Sequence, residues 1–380
     1  MVLQKMIGDT GVQEWILLAL FLMAFILQCG YYLFVYLRLP LYRPAKKRKS
    51  TKAVSVIICA KNEEVNLEKF LPLVLEQDHP EYEVVVVNDC STDGTEELLI
   101  LLSARYKHLR YTTIPSNGTF MHGKKLALTV GLKSARFNWV LLTDADCYPL
   151  SDQWLQTMVS NLSREKSIVL GYGGYERKKG LLNLLIRYET VFTAIQYLSY
   201  AIKGHPYMGV GRNLAYNKAL FFENKGFATH YHIPSGDDDL LVNEIANGNN
   251  TTVEISKESH TLSLPKTRLR DWIKQKQRHL SAGNHYNPGS RIRIGGELIS
   301  RLVLYSVFIL LCIYSQWIWP VTALFGLLMV TRLVIFKLGM RRLDENFLLL
   351  PSLLLDPLLP LLLGIIWFSN IFVTRYQPWR

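Results

Sequence analysis

The chain has 380 residues, with 43 Lys or Arg against 31 Asp or Glu for a net charge of +12, and 49% of it is hydrophobic. This is enough for one large domain plus membrane segments. A basic excess invites a nucleic-acid reading. Here the cations cluster beside apolar segments, where each adds about 1 kcal/mol of attraction to anionic lipid. No zinc-finger spacing or RNA-binding motif accompanies them, so membrane lipid is an expected partner and nucleic acid is not. Five scattered cysteines, an odd number, argue against a disulfide framework or a zinc site and fit a reducing compartment.

Trp15 to Leu37 carries no charge. As a helix it crosses the roughly 30 Å hydrocarbon layer of a bilayer. It is too long for a signal-peptide core, and no small-residue cleavage site follows. Trp15 and the tyrosines Tyr31, Tyr32 and Tyr36 suit the two interfaces. Lys46-Lys47-Arg48-Lys49 comes next, whereas the residues ahead of Trp15 are nearly neutral. The positive-inside rule then places the N-terminus outside and the following domain in the cytoplasm.

Residues 53–170 alternate strand and helix signals. Val54–Cys59, Val84–Val87, Tyr111–Ile114 and Trp139–Thr143 read as strands. Leu67–Glu76, Asp93–Tyr106 and Gly123–Ala135 read as helices, the first interrupted by Pro72 and the second opening on acids at its positive end. This order demands a mainly parallel α/β sheet covered on both faces, with ligands at the carboxyl ends of its strands. Polar motifs fall at those ends: Lys61-Asn62-Glu63-Glu64, Asn88-Asp89 and Asp144-Ala145-Asp146. In the last, side chains i and i+2 point the same way, and two carboxylates suit Mg²⁺ or Mn²⁺ holding a diphosphate. Asp89 or Glu63 is placed to accept from a base N–H or a ribose hydroxyl. Helix capping by Asn66, or by Ser91, Thr92 or Asp93, accounts for some of these polar residues. There is no Walker A sequence and no G-x-G-x-x-G after the first strand. Gly171-Tyr172-Gly173-Gly174 reads as a tight strand rather than a phosphate cradle.

In this order the motifs, with the membrane segments around them, resemble a membrane-bound family-2 glycosyltransferase of the inverting GT-A fold. Val54–Glu64 resembles the opening strand and its nucleotide-contacting turn. Val86–Thr95 resembles the second signature, whose Asp, here Asp89, holds the base. Gly123-Lys124-Lys125 resembles the Gly-Lys helix start near the nucleotide, and Asp144-Ala145-Asp146 the metal-binding Asp-x-Asp, with Asp146 the likelier direct ligand. Gly209–Tyr216 resembles the glycine-rich turn below the acceptor. Ser235-Gly236-Asp237-Asp238-Asp239-Leu240-Leu241 stands where the family has Glu-Asp-x-Asp/Glu-Leu. Asp237 is then the counterpart of the catalytic Asp, with Asp238 competing because Gly236 replaces the usual Glu. Three consecutive carboxylates repel, which should raise the pKa of at least one, and Ser235 is a candidate cap for the following helix. Gln275-Lys276-Gln277-Arg278-His279 resembles Gln-x-x-Arg-Trp with His279 in place of Trp; the resemblance places Gln275, Arg278 and His279 against acceptor and diphosphate. The basic, amphipathic Leu264–Leu280 also reads as an interfacial helix, as does Leu181–Ile202.

The C-terminal part is apolar from Leu302 to Phe336 apart from Arg332, enough for two spans broken near Pro320. Phe347–Val373 carries Pro351, Asp356, Pro357 and Pro360 and reads as one kinked span or a hairpin of two half-spans. A basic loop (Lys337, Arg341, Arg342) and an Arg375–Arg380 tail on the same side would favour the hairpin. The expected division is an anchor over 1–45, a cytoplasmic domain over 50–290 (nucleotide-binding half 50–150, acceptor half 151–290) and two to four spans over 300–380. The resemblance implies inverting, metal-dependent transfer from a UDP- or GDP-sugar to a lipid-linked or glycan acceptor at the inner membrane. A processive polysaccharide synthase is the alternative within that class. A sugar nucleotidyltransferase, or a non-enzymatic membrane component, is the alternative outside it.

Overall fold

The computed structural model describes residues 11–44, 49–115, 123–233 and 235–372. The Lys46–Arg48 cluster and the Arg375–Arg380 tail lie outside the described residues. Helix α1 (Val12–Leu41) is long and apolar enough to cross a membrane. The catalytic-side elements follow in chain order: β1 (Val54–Ala60), α2 (Glu64–Leu75), β2 (Tyr82–Asp89), α3 (Thr95–Arg105), β3 (Leu109–Ile114), α4 (Lys124–Ser134), β4 (Trp139–Asp144), β5 (Cys147–Pro149) and α5 (Trp154–Val159). Then come β6 (Ile168–Leu170), β7 (Gly173–Tyr175), α6 (Leu181–Ile202), β8 (Leu214–Asn217), α7 (Lys218–Glu223), α8 (Asp239–Ile245), β9 (Thr251–Val253), β10 (Thr261–Ser263) and α9 (Leu269–Gly283). Three long helices close the chain: α10 (Pro288–Tyr314), α11 (Ile318–Arg342) and α12 (Leu349–Phe372).

A seven-stranded sheet has the order β3-β2-β1-β4-β8-β6-β9. Its first four strands are parallel, and β8 runs antiparallel to both β4 and β6, so the sheet is mixed beyond the βαβ half read from sequence. A smaller sheet, β5-β10-β7, stands beside it. β1 and β2 are almost continuous β-branched runs because both faces are covered. One face packs Val56, Ile58, Val84 and Val86 under α2, α3 and α5. On the other, α4 presses so close that a Cβ on Gly131 would sit 2.7 Å from Ile57 Cγ2. That second core runs on through α6 to Tyr32 and Tyr36 of α1 and Phe336 of α11, so catalytic and membrane parts share one apolar interior.

One sequence expectation changes here and another is narrowed. Leu181–Ile202 is not a surface helix: α6 is buried along most of its length, packed by α1, α11 and α12. Of the two readings of the last apolar segment, the single span holds and the half-span hairpin does not: α12 is one helix of 24 residues with Pro357 and Pro360 inside it. Asp356, the residue that argued against a plain span, is neutralised by Arg301 (3.0 Å) and Arg332 (3.1 Å). It also accepts from Tyr188 (2.8 Å) and Tyr305 (2.6 Å). With α1, α10, α11 and α12, four helices among the described residues are long and apolar enough to span.

Candidate active site

Sheet register places the acids. Cys59 of β1 lies opposite Asp144 of β4, and Ala60 opposite Asn88 of β2, so the polar ends of three adjacent strands meet. Asp89 closes β2 and is fully buried. Asn62 takes a left-handed turn (φ 55°) after β1. Its Oδ1 accepts from Thr92 N–H (2.8 Å) while Ser91 Oγ accepts from its own N–H (2.8 Å), lacing the two strand-end loops together. Asp93 caps both helices that start here, accepting from the N–H of Glu64 (3.2 Å) and of Thr95 (3.2 Å). Asn66 does not cap: it lies inside α2 and donates to the Glu63 carboxylate.

The strand ends at Asp144. Ala145 and Asp146 form the turn that carries the chain from one sheet to the other. That turn brings ligand atoms of Asp144, Asp146 and Cys147 all within 4.8 Å of one another. Cys147 is not suited to ligation, because burial pushes its thiol well above the ordinary range and it contacts Ser263 Oγ at 2.8 Å. Two hard carboxylates, half open, fit Mg²⁺ or Mn²⁺.

The acceptor half comes to the same point. Lys124, first residue of α4, lies 2.8 Å from Asp144 Oδ1 and 2.9 Å from Asp237 Oδ2. Asp89, Asp144, Asp237 and Lys124 all act electrostatically on one buried thiol, Cys59. Gly236 explains the missing Glu: its φ is +92°, and a Cβ there would sit 2.3 Å from Leu240 Cδ1. Asp238 spends its oxygens on backbone, accepting from Gly211 N–H (2.6 Å) and Asp239 N–H (2.8 Å) as the cap of α8. Ser235 is therefore not the cap; its hydroxyl donates to Arg278 O (2.7 Å) and ties this loop to α9. Asp239 accepts from Tyr286 OH at 2.8 Å.

The acids are unequal. Burial, then Asp144, pushes Asp146 up. Burial, then a neighbouring acid, lifts Asp238 to about 6 and Asp239 to about 7. Burial alone would raise Asp237 too, but Lys124 beside it holds it below the usual carboxylate range. The expected repulsion is present, with desolvation as the larger cause. Glu63 is lifted to about 7 by burial, against its hydrogen bond from Asn66, with Asp146 adding repulsion.

On α9, Gln275 donates to Tyr175 OH (3.3 Å), and Arg278 acts electrostatically on Asp237. His279 is exposed. Lys276, from the same motif, instead pairs with Glu189 of α6, and α9 lies along α12 through Gln277–Ser369 (3.1 Å). Lys125 escaped the sequence reading. It is buried and donates to the carbonyls of His230 (2.5 Å) and Ile233 (3.0 Å), clamping the loop that leads to Asp237. Its adjacency to Lys124 was the available signal.

A parallel βαβ half, an acid-bearing turn into a second small sheet, and an antiparallel return strand define the GT-A fold. The family model for Glycosyl transferase family 2 matches residues 55–221. This stretch is a family-2 glycosyltransferase domain. Glycosyltransferase AglE of Haloferax volcanii is 35% identical over 112 residues, 29% of this chain and 35% of that protein. Putative teichuronic acid biosynthesis glycosyltransferase TuaG of Bacillus subtilis is 28% identical over 125 residues, 32% of this chain and 46% of that protein. The chain thus spans less than half the length of these relatives. A mannosyltransferase from Pyrobaculum calidifontis, solved with GDP-Man and Mn2+, shares the fold with a TM-score of 0.58 at 20% identity, covering 91% of this chain and 98% of that one.

Proposed function

We propose that the protein transfers a sugar, with inversion, from a nucleoside-diphosphate sugar to a lipid-linked or glycan acceptor at the cytoplasmic face of the inner membrane. The observation that carries this reading is Lys124, whose single ammonium group joins Asp144 of the nucleotide half to Asp237 of the acceptor half. Glu63 and Asp89 hold the nucleoside. Asp144 and Asp146 would hold Mg²⁺ or Mn²⁺, which supplies charge neutralisation of the leaving diphosphate. Arg278 and Gln275 orient the phosphates from the α9 side.

Asp237 accepts the proton of the acceptor hydroxyl. Paired with Lys124 it is ionised but weakly basic. A phosphate that draws Lys124 away would leave Asp237 a stronger base at the moment it is needed. Single transfer is favoured over processive synthesis. Among the described residues, the space where α1, α10, α11 and α12 meet is filled by Tyr32, Phe336, Arg301, Arg332 and Asp356 rather than a channel.

Asp237→Asn is the test. Turnover, followed as nucleoside diphosphate released in the presence of a lipid extract, should fall by about 10²–10⁴-fold while nucleotide affinity is kept. Retained turnover would remove Asp237 from the reaction. Release of pyrophosphate in place of nucleoside diphosphate would point to a nucleotidyltransferase.

A further inference from the structure

The Gly171-Tyr172-Gly173-Gly174 run, which reads from sequence as a tight strand, has a more specific use. Arg212 sits on the turn between Val210 and β8, and its side chain crosses directly over Gly173: a Cβ there would lie 2.6 Å from Arg212 Cγ and Nε. The guanidinium ends over the Tyr175 ring, 4.7 Å from its centroid. Tyr175 is the same residue whose hydroxyl receives Gln275. The turn beneath is rigid. Asn213, fully buried, donates to Tyr172 O (2.8 Å) and Ser259 O (2.7 Å) and accepts from Trp154 Nε1 (3.0 Å). Gly171 leaves room for that amide, since a Cβ there would meet it at 2.5 Å.

The charge delivered along this groove lies within electrostatic reach of Asp144, Asp146 and Cys147. Yet no carboxylate among the described residues pairs with it, and its buried Nε has no hydrogen-bond partner among them. Tyr175 also hydrogen-bonds the guanidinium; the remaining donors of this stacked, pre-oriented fork face no carboxylate among the described residues, and beside two acids placed to hold a metal they match the bidentate geometry of a phosphoryl group. We propose that Arg212, laid across Gly173 and stacked on Tyr175, binds the diphosphate of the donor nucleotide. This rests on the donor-site reading above and adds to it a residue on the acceptor side of the Asp-x-Asp turn. The glycine run is then a groove for an arginine stem. Tyr175 is a positioning residue serving both Arg212 and Gln275.

The experiment compares Mn²⁺-dependent binding of GDP and UDP with that of GMP and UMP, by calorimetry on the full-length protein in detergent. Arg212→Gln should cut the diphosphate-to-monophosphate affinity ratio at least tenfold and leave the monophosphates nearly unchanged. Arg212→Lys, which keeps charge but not the fork, should fall between. Gly173→Ala should reproduce the loss with Arg212 still present, because the added methyl evicts the stem. Thermal midpoints of the ligand-free variants report whether each is folded. An unchanged ratio in folded Arg212→Gln, or equal weakening of mono- and diphosphates, overturns the proposal. Asp146→Ala separates the two readings. If it abolishes metal-dependent binding while Arg212→Gln changes nothing, the donor site stands and Arg212 falls. A wild-type protein that binds no nucleotide removes both.

Discussion

Two clusters of buried charge among the described residues are built to opposite ends. Around the Asp-x-Asp turn, Asp144, Asp146, Asp237, Asp238 and Asp239 crowd together, and several are pushed toward the neutral form. Their nearest cation, Lys124, is shared between two of them. In the helical bundle, Asp356 faces two arginines and two tyrosine hydroxyls from α6, α10 and α11, and buried Glu297 of α10 pairs with one of those arginines, Arg301, at 3.3 Å. The first cluster is left incomplete, as a site awaiting a cation and an anion must be. The second is closed on itself. An ionisable residue in a membrane segment ordinarily suggests transport or a relay. Here the partners close the account locally, and because Tyr188 belongs to α6, the cluster fastens the bundle to the catalytic domain.

That contrast breaks first at Asp356. Asp356→Ala leaves Arg332 buried without a counter-charge and Arg301 with Glu297 alone, a loss of about 3–5 kcal/mol. The unfolding midpoint in detergent should drop sharply. Asp146→Ala, by contrast, removes a repelled carboxylate and should hold or raise the midpoint while metal-dependent nucleotide binding disappears. If Asp356→Ala is as stable as wild type, the bundle cluster is not a fastener, and a functional role for it returns.

The same contrast sets what could be read from sequence. The donor half was legible because its signals are local. β-branched runs mark both-face burial, and every polar motif follows its strand directly, so Glu63, Asp89, Asp144 and Asp146 fall where a parallel sheet puts them. Asp237 came from motif order alone; its meeting with Asp144 is a long-range contact through Lys124 that no spacing predicts. Arg212, Lys125 and Tyr175 were missed for a related reason. Arg212 matters because a glycine some forty residues earlier, Gly173, opens a groove for it. Lys125 matters because two carbonyls a hundred residues later need donors. Asp356 left the reading of α12 open, since its neutralising arginines lie on other helices. Of the capping residues, Asp93 serves the helix it was expected to and a second one besides, whereas Asn66 turns to Glu63 and Ser235 to α9.

A smaller effect sharpens the account of how the halves are held together. Lys125→Met should remove the Lys125 donor from the Ile233 carbonyl, at about 1–3 kcal/mol for a group left buried and unpaired, while the His230 carbonyl keeps the Ile233 N–H at 3.1 Å. Because that loop leads into Asp237, turnover should fall more than nucleotide affinity does. Lys125→Arg, which keeps donors, should recover part of the loss. Equal loss of affinity and turnover would make Lys125 a general stability residue instead of a link between the halves.

The smallest effect concerns pH. Asp239 is raised by burial, then by Asp238, to about 7, well above its unfolded value of about 3.8. The folded protein therefore binds this proton more tightly than the unfolded chain. Between those two values the native state holds more protons, so stability falls as pH rises, by at most about 1.4 kcal/mol per pH unit for one such group. Asp239→Asn removes the titration and keeps an oxygen for Tyr286 OH to donate to. The variant's unfolding midpoint should match wild type near pH 4 and exceed it increasingly up to pH 7, with a constant gap above. A variant whose advantage over wild type shrinks between pH 4 and 7 would reverse the sign assigned to Asp239. It would mean that the charged form is the one the site stabilises.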